Sequence, residues 1–399
     1  MRIPLLLLLM SFHLPAFSQL LPGIWRGEIT LNDSTSLPFN FQAYDKNLDL
    51  INGEERINVQ DIQLHNDSVI IPLPIFNTEF RCLSNGQSLS GNFYNYTRKN
   101  NNILPFHAEQ NVQYRFSEKP APSSWNVTGR WQAIFDDEDP ESKMAVLILQ
   151  QNKNHLSGTF LTTTGDYRYL DGEVSGNQFS LSAFDGSHLF LFMANIQKDG
   201  TLIGNFYSGS HYHETWSAFR NEKAELPDAE SLTFIKPGYD KLSFKFPNEY
   251  GDSISLSDPQ FSRKVVVVSL MGTWCPNCMD ETRFFTEIYP QYKSKGVEFI
   301  ALDYERVLDS ASVSKSIRKL KQQLGVEYPV LFAGTNDRTE AARTLPMLNR
   351  ILGYPTTIII DKKGIVRKIH TGFSGPATGT DFIAFKESFL RFLDTLVQE

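Results

Sequence analysis

Gly272-Thr273-Trp274-Cys275-Pro276-Asn277-Cys278 sets two cysteines two residues apart, where a strand-like segment meets a helix-like one. Upstream, Lys264-Val265-Val266-Val267-Val268-Ser269-Leu270 is apolar and β-branched and reads as a buried strand. Downstream, 279–292 carries Phe284, Phe285, Ile288 and Tyr289 at helical spacing. A strand, a Cys-x-x-Cys turn and a helix put Cys275 at a helix N-terminus. There the dipole and free N–H groups favour the thiolate. Pro276 falls in the first turn, where a missing N–H costs nothing. The chemistry these residues suit is thiol–disulfide exchange.

Two other uses of the pair carry less weight. A zinc site needs four ligands, and only Cys82 remains, with no second Cys-x-x-Cys and no His-x-x-x-His. A purely structural disulfide would close too short a loop to stabilise much.

The stretch resembles the thioredoxin superfamily, specifically the extracytoplasmic TlpA/ResA-like thiol–disulfide oxidoreductases, over roughly residues 235–399. Trp274 precedes the first cysteine, and Glu281 matches an acid those reductases keep near the active site. Gly353-Tyr354-Pro355-Thr356-Thr357-Ile358-Ile359-Ile360-Asp361 is similar to the family's cis-proline segment leading into a strand. The resemblance implies that Cys275 is the nucleophile and Cys278 the resolving thiol. It also implies that Trp274, Tyr354 and Pro355 receive the substrate. Thioredoxin's buried Asp, six residues before the first cysteine, is replaced by Ser269. The proton acceptor for Cys278 is therefore expected to be Glu281.

The first residues resemble a secretory signal peptide: Arg2, then Leu5 to Met10, then Ala16-Phe17-Ser18. The apolar run is too short to span a bilayer, and no later stretch is long enough either. Residues 1–18 are read as that peptide, and the resemblance to bacterial proteins implies the periplasm. A net charge of −7 offers no basic surface for nucleic acid or an anionic membrane. Cys82, in Phe80-Arg81-Cys82-Leu83, is expected to be a buried, inert thiol.

Residues 19–225 read as all-β. Short alternating segments are bounded by turn residues, and Asn-Gly at 52–53 and 85–86 and Asp-Gly at 171–172, 185–186 and 199–200 signal hairpins. The region also repeats. Gly23-Ile24-Trp25-Arg26 is echoed by Gly129-Arg130-Trp131-Gln132, and Ser88-Leu89-Ser90-Gly91-Asn92-Phe93-Tyr94 by Thr201-Leu202-Ile203-Gly204-Asn205-Phe206-Tyr207. This predicts two antiparallel meanders of about six strands each, at 19–122 and 123–225, stacked in tandem or closed into one barrel. Their mouth or edge is a candidate seat for a ligand or client peptide. His211 and His213 do not by themselves make a metal site.

A charged, Pro-containing join at 221–228 leads into an α/β thioredoxin-like part at 226–399, opened by a hairpin around Asn248-Glu249-Tyr250-Gly251-Asp252. There the pattern predicts strands at 297–303 and 329–332, a helix at 313–324 and a polar loop at 336–344. A short helix at 345–351, a hairpin around Lys362-Lys363-Gly364 and a closing helix at 382–397 follow.

The expected activity is reduction of disulfide-containing client proteins. No Gly-rich dinucleotide pattern occurs, so no cofactor is expected, and re-reduction falls to an external reductant such as a membrane thiol donor. The alternatives are net oxidation or isomerisation, or a ligand-binding protein that uses a thioredoxin-like docking module.

Overall fold

The computed structural model describes residues 20–136, 143–306 and 309–399. The signal-peptide reading and the expected cleavage site lie outside the described residues.

Two nine-stranded antiparallel sheets form the N-terminal part, each an up-and-down meander whose first strand pairs with its last. In the first, Gly23–Asn32 pairs with Ile103–Gln110. In the second, Gly129–Phe135 pairs with Tyr212–Arg220. The second sheet closes into an eight-stranded barrel because Met144–Asn152 also pairs with His155–Thr162. The first stays open, with Glu55–Val59 and Gln63–His65 as its two edges. Each sheet has more strands than the expected six, and the two do not share one barrel.

The repeat is physical. Trp25 and Trp131 are both buried, and each indole donates to a carbonyl four residues earlier, Leu21 and Val127, at 2.9 Å. Gly91 and Gly204 occupy equivalent strands, where a Cβ would strike the neighbouring strand's backbone at 2.1 and 2.4 Å.

What fills the opened sheet is the barrel's own wall. On the strand Leu189–Ile196, Phe190, Phe192, Ala194 and Ile196 point into the barrel core. Leu189, Leu191 and Met193 pack into the core of the first sheet. A strand apolar on both faces is buried on both, so the two sheets cannot part without exposing one face. The barrel interior itself is filled with aromatics; Phe192 stacks on Phe160 and Phe206, each at 4.4 Å.

The C-terminal part is a thioredoxin-like α/β layer: a five-stranded sheet ordered Val330–Thr335, Val297–Glu305, Val265–Met271, Thr356–Ile360, Val366–Thr371. The first three strands are parallel and the last two antiparallel. Helices Pro276–Ser294, Ser310–Leu324, Arg338–Thr344 and Thr380–Gln398 complete it, with the hairpin Lys245–Pro247/Ser253–Ser255 ahead. One segment differs from expectation. The short helix is Arg338–Thr344, inside the expected loop, and 345–351 is a turn. Asp337 caps that helix by accepting the Glu340 N–H at 2.9 Å, and Pro346 cannot prolong it.

The parts are joined by more than the 221–228 segment. Ile75 and Phe76, from a loop of the first sheet, lie in the hydrophobic core cluster of the thioredoxin-like part. Lys319 donates to the Leu73 and Phe76 carbonyls, and Gln323 accepts the Ile75 N–H. Arg130 of the barrel pairs with Asp381 at 3.1 Å.

Candidate active site

The strand Val265–Met271 is buried along its whole length and delivers the chain to the centre of the C-terminal layer. After the turn 272–274, Cys275 caps the helix Pro276–Ser294. Its sulfur accepts the Cys278 N–H at 3.2 Å, with Pro276 in the first turn. Cys275 and Cys278 are disulfide-bonded, their Cα atoms 5.2 Å apart. Cys275 is 3 % exposed and Cys278 fully buried. In the reduced protein a thiolate on Cys275 would face the helix dipole and that same N–H.

The Tyr354–Pro355 bond is cis, and the Tyr354 carbonyl oxygen lies 3.5 Å from Cys275 Sγ. Register puts it there: Thr356 pairs with Leu270 on the strand that leads into the cysteine turn. The Pro355 carbonyl accepts the Gly372 N–H at 2.9 Å, tying the loop to the next strand. Trp274 packs edge-on against Tyr354 at 5.9 Å and donates to the Tyr304 carbonyl at 2.8 Å. The Arg306 guanidinium lies over its ring at 4.2 Å.

Glu281 lies one turn beyond Cys278 on the same helix, fully buried. Its carboxylate accepts from Ser269 Oγ at 2.6 Å and from Thr357 Oγ1 at 2.5 Å. Burial pushes its pKa up to about 7, against the pull of the two hydroxyls. A carboxyl poised there exchanges a proton near neutrality.

Two groups at the site escaped the sequence reading. Asp303 and Glu305 are both buried, and the Thr273 N–H is shared between them at 3.2 and 3.1 Å. Burial, then the charge of Glu305, holds Asp303 well above the ordinary carboxylate range; burial raises Glu305 too. The pair thus keeps a proton that exposed carboxyls would lose, and it anchors the turn before Trp274. The available signal was two acids two residues apart at the end of a strand that is apolar from Phe299 to Leu302. The second group is Arg168, a barrel residue 4 % exposed, whose guanidinium donates to Asp280 and to the Pro276 carbonyl. Nothing local in the sequence marks it.

Cys82 is unpaired and buried on Thr78–Ser84, and burial pushes its pKa up to about 12. His211 lies in a turn, and His213 bonds Asn205 at 2.9 Å and stacks on Tyr207. Among the described residues no group of three or more His, Cys, Asp or Glu is placed to hold a metal.

A family model described as Redoxin matches residues 225–381. Thiol-disulfide oxidoreductase ResA of Geobacillus kaustophilus (strain HTA426) is 29 % identical over 140 residues, 35 % of this chain and 72 % of that protein. A ResA of Bacillus cereus is 31 % identical over 133 residues, 33 % of this chain and 68 % of that protein. A solved structure of a thiol:disulfide interchange protein, thioredoxin family protein from Chlorobium tepidum TLS, has 21 % identity and a TM-score of 0.31, covering 40 % of this chain and 95 % of that one.

Proposed function

The chain belongs, through its C-terminal part, to the ResA-like thiol–disulfide oxidoreductases of the Redoxin family, and on that premise we propose that it is an exported reductase of protein disulfides. The observation that carries the reading is the cysteine pair, with its first sulfur capping a helix 3.5 Å from the carbonyl of a cis-proline loop.

In the reduced enzyme the Cys275 thiolate attacks one sulfur of a client disulfide, while the backbone at Tyr354-Pro355 holds the client. The client S–S bond breaks, a Cys275–client bond forms, and one client thiolate leaves. Cys278, its proton passed to Glu281, then attacks Cys275 Sγ and expels the second client thiolate. Two electrons have gone to the client, whose two thiolates take up one proton from Glu281 and one from solvent, and the enzyme is left with the Cys275–Cys278 disulfide seen here. An external dithiol, such as a membrane thiol donor, must return it to the reduced state. Trp274 covers the pair and offers an apolar contact, and Pro355 shapes the client seat.

Export is supported by the basic-then-apolar N-terminus ending in Ala16-Phe17-Ser18. No helix among the described residues is long and apolar enough to cross a membrane. N-terminal sequencing of the mature protein should begin at Gln19.

The deciding experiment is insulin reduction against a Cys275→Ser control, together with the equilibrium potential against glutathione. Turnover no greater than the control's would sink the enzyme reading. A potential near about −120 mV, that of a strong oxidant, would make the protein a net oxidase instead.

A further inference from the structure

The turn linking two barrel strands lies across the redox centre. It leaves the strand His155–Thr162, passes through the two-residue strand Gly165–Asp166, and reaches Arg168. Three of its residues press on the client-facing surface. An ideal Cβ on Gly353, just before the cis-proline loop, would fall 2.4 Å from Thr164 Cγ2. One on Gly372, whose N–H holds the Pro355 carbonyl, would fall 2.8 Å from the Thr163 oxygen. One on Gly165, at φ 147°, would overlap the side-chain amide of Asn277, the residue between Pro276 and Cys278. The turn is therefore packed against both walls of the cleft that holds the cysteine pair.

Two sets of bonds fasten it. Asp166 Oδ2 accepts the Gly375 N–H at 2.6 Å. The Arg168 guanidinium reaches three parts of the molecule at once: Asp280 and the Pro276 carbonyl of the cysteine helix, Glu55 of the open sheet, and Asp185 of the barrel. The Arg168 backbone is left-handed, at φ 59°, unusual for a long side chain and held there by its bonds. The Asp166 carboxylate also accepts the Arg168 N–H at 2.6 Å, so the two fasteners support each other.

We propose that residues 163–168 form a gate over the dithiol that sets substrate size, with Arg168 and Asp166 as its specificity-determining latches. Closed, the gate occupies the face on which an extended polypeptide would pair, and leaves Cys275 within reach of small disulfides only. A protein disulfide reacts after the turn has lifted, so its rate follows the open fraction. The inference rests on the reading that Cys275 attacks disulfides.

The test uses the full chain and two variants that break different bonds, Arg168→Gln and Asp166→Ala. Reduced protein is labelled at Cys275 with iodoacetamide and with a maleimide carried on a polyethylene glycol chain. Turnover is measured on insulin and on hydroxyethyl disulfide. Each variant should speed bulky labelling and insulin reduction by about five-fold or more, since the loss of even one buried hydrogen bond shifts a closed–open equilibrium by about that factor. Iodoacetamide labelling and hydroxyethyl disulfide turnover should rise far less, so that the ratio of the bulky to the small rate increases in each variant. Equal acceleration of small and bulky reagents, or of neither, would overturn the gate. Should one variant fail to fold by circular dichroism, the other decides. If no protein reduces either disulfide, the oxidoreductase reading has failed, while the labelling ratio still judges the gate because alkylation needs only a thiol.

Discussion

Ser269 and Thr357 sit opposite each other on neighbouring strands, and their hydroxyls hold the two oxygens of one buried carboxyl, Glu281. Thioredoxin's acid six residues before the first cysteine is absent here. The strand keeps a hydroxyl at that place, and the acid comes from the helix instead. Burial disfavours its ionised form, so its pKa of about 7 exceeds the 4.5 of an ordinary glutamic acid. The folded state therefore binds this proton more tightly than the unfolded state. The stability it contributes is complete below about pH 4.5 and is lost as pH rises through 7, a loss of roughly 3 kcal/mol. Glu281→Gln should flatten that slope: urea midpoints of the oxidised variant should change less between pH 5 and pH 8.5 than those of the wild type. The same change should cut insulin turnover about ten-fold or more and remove an inflection near pH 7. An unaltered slope would mean that Glu281 is ionised in the folded protein.

The two cysteines are not equivalent. Cys275 caps the helix beside the Tyr354 carbonyl, while Cys278 has no exposed surface. Cys278→Ser should accumulate mixed disulfides with clients through Cys275, visible on non-reducing gels. Cys275→Ser should accumulate none. Equal trapping by both variants would reverse the assignment of nucleophile.

The site was legible in the sequence where its parts are neighbours along the chain. Val265 to Cys278 encodes strand, turn and helix by local pattern, and the cis-proline strand is a run of β-branched residues. The echoed Trp25 and Trp131 take like places in the two sheets, each indole bonding a carbonyl four residues earlier. What stayed hidden depends on distant partners. Leu189-Phe190-Leu191-Phe192-Met193 reads as one apolar strand, but nothing in it says that its two faces serve two different cores. The open or closed state of each sheet follows from that choice. Arg168 and Asp280 are 112 residues apart, and no local pattern joins them. At 336–351 a polar segment became the helix because Asp337 caps it, while the more apolar 345–351 was stopped by Pro346.

Two Asn-Gly pairs carry the same hairpin signal, yet the structure uses them differently. Asn85 is exposed, and its oxygen accepts the N–H groups of Gln87 and Ser88 within its own turn. Asn52 is buried and reaches across to the barrel. It donates to the Phe184 carbonyl at 2.9 Å and accepts the Phe184 N–H at 3.0 Å, as a strand backbone would. Asn52→Ala would strand two buried backbone groups and should cost roughly 2–4 kcal/mol, against under about 1 kcal/mol for Asn85→Ala. Urea denaturation of the two variants checks the ranking. Equal losses would mean that Asn52 matters only to its turn.

Phe76 tests how far the parts are one folding unit. It lies in the first sheet's loop, only 6 % exposed, yet belongs to the core cluster that holds Cys278 and Met279. Beside it, Ile75 adopts φ 63°, a costly backbone for a β-branched residue, and its N–H is held by Gln323. The charged, Pro-containing segment 221–228 marks a boundary along the chain, yet this loop links the parts elsewhere with two apolar side chains. Residues 229–236 are also laced into the thioredoxin-like part, through Thr371 N–H to Ala229, Lys236 N–H to Met347 and Thr371 Oγ1 to Thr233. A chain beginning at Ala229 should therefore retain its sheet while leaving the seat of Phe76 open to water, and should be less stable than the full protein. Within the full chain, Phe76→Ala should cost about 3 kcal/mol, as for other large-to-small core changes. The loss should register far from the mutation: amide exchange in the helices Pro276–Ser294 and Ser310–Leu324 should quicken, because their packing partner is gone. If exchange rises in the first sheet alone and these helices keep their protection, the halves unfold independently, and Phe76 stabilises only the sheet that carries it.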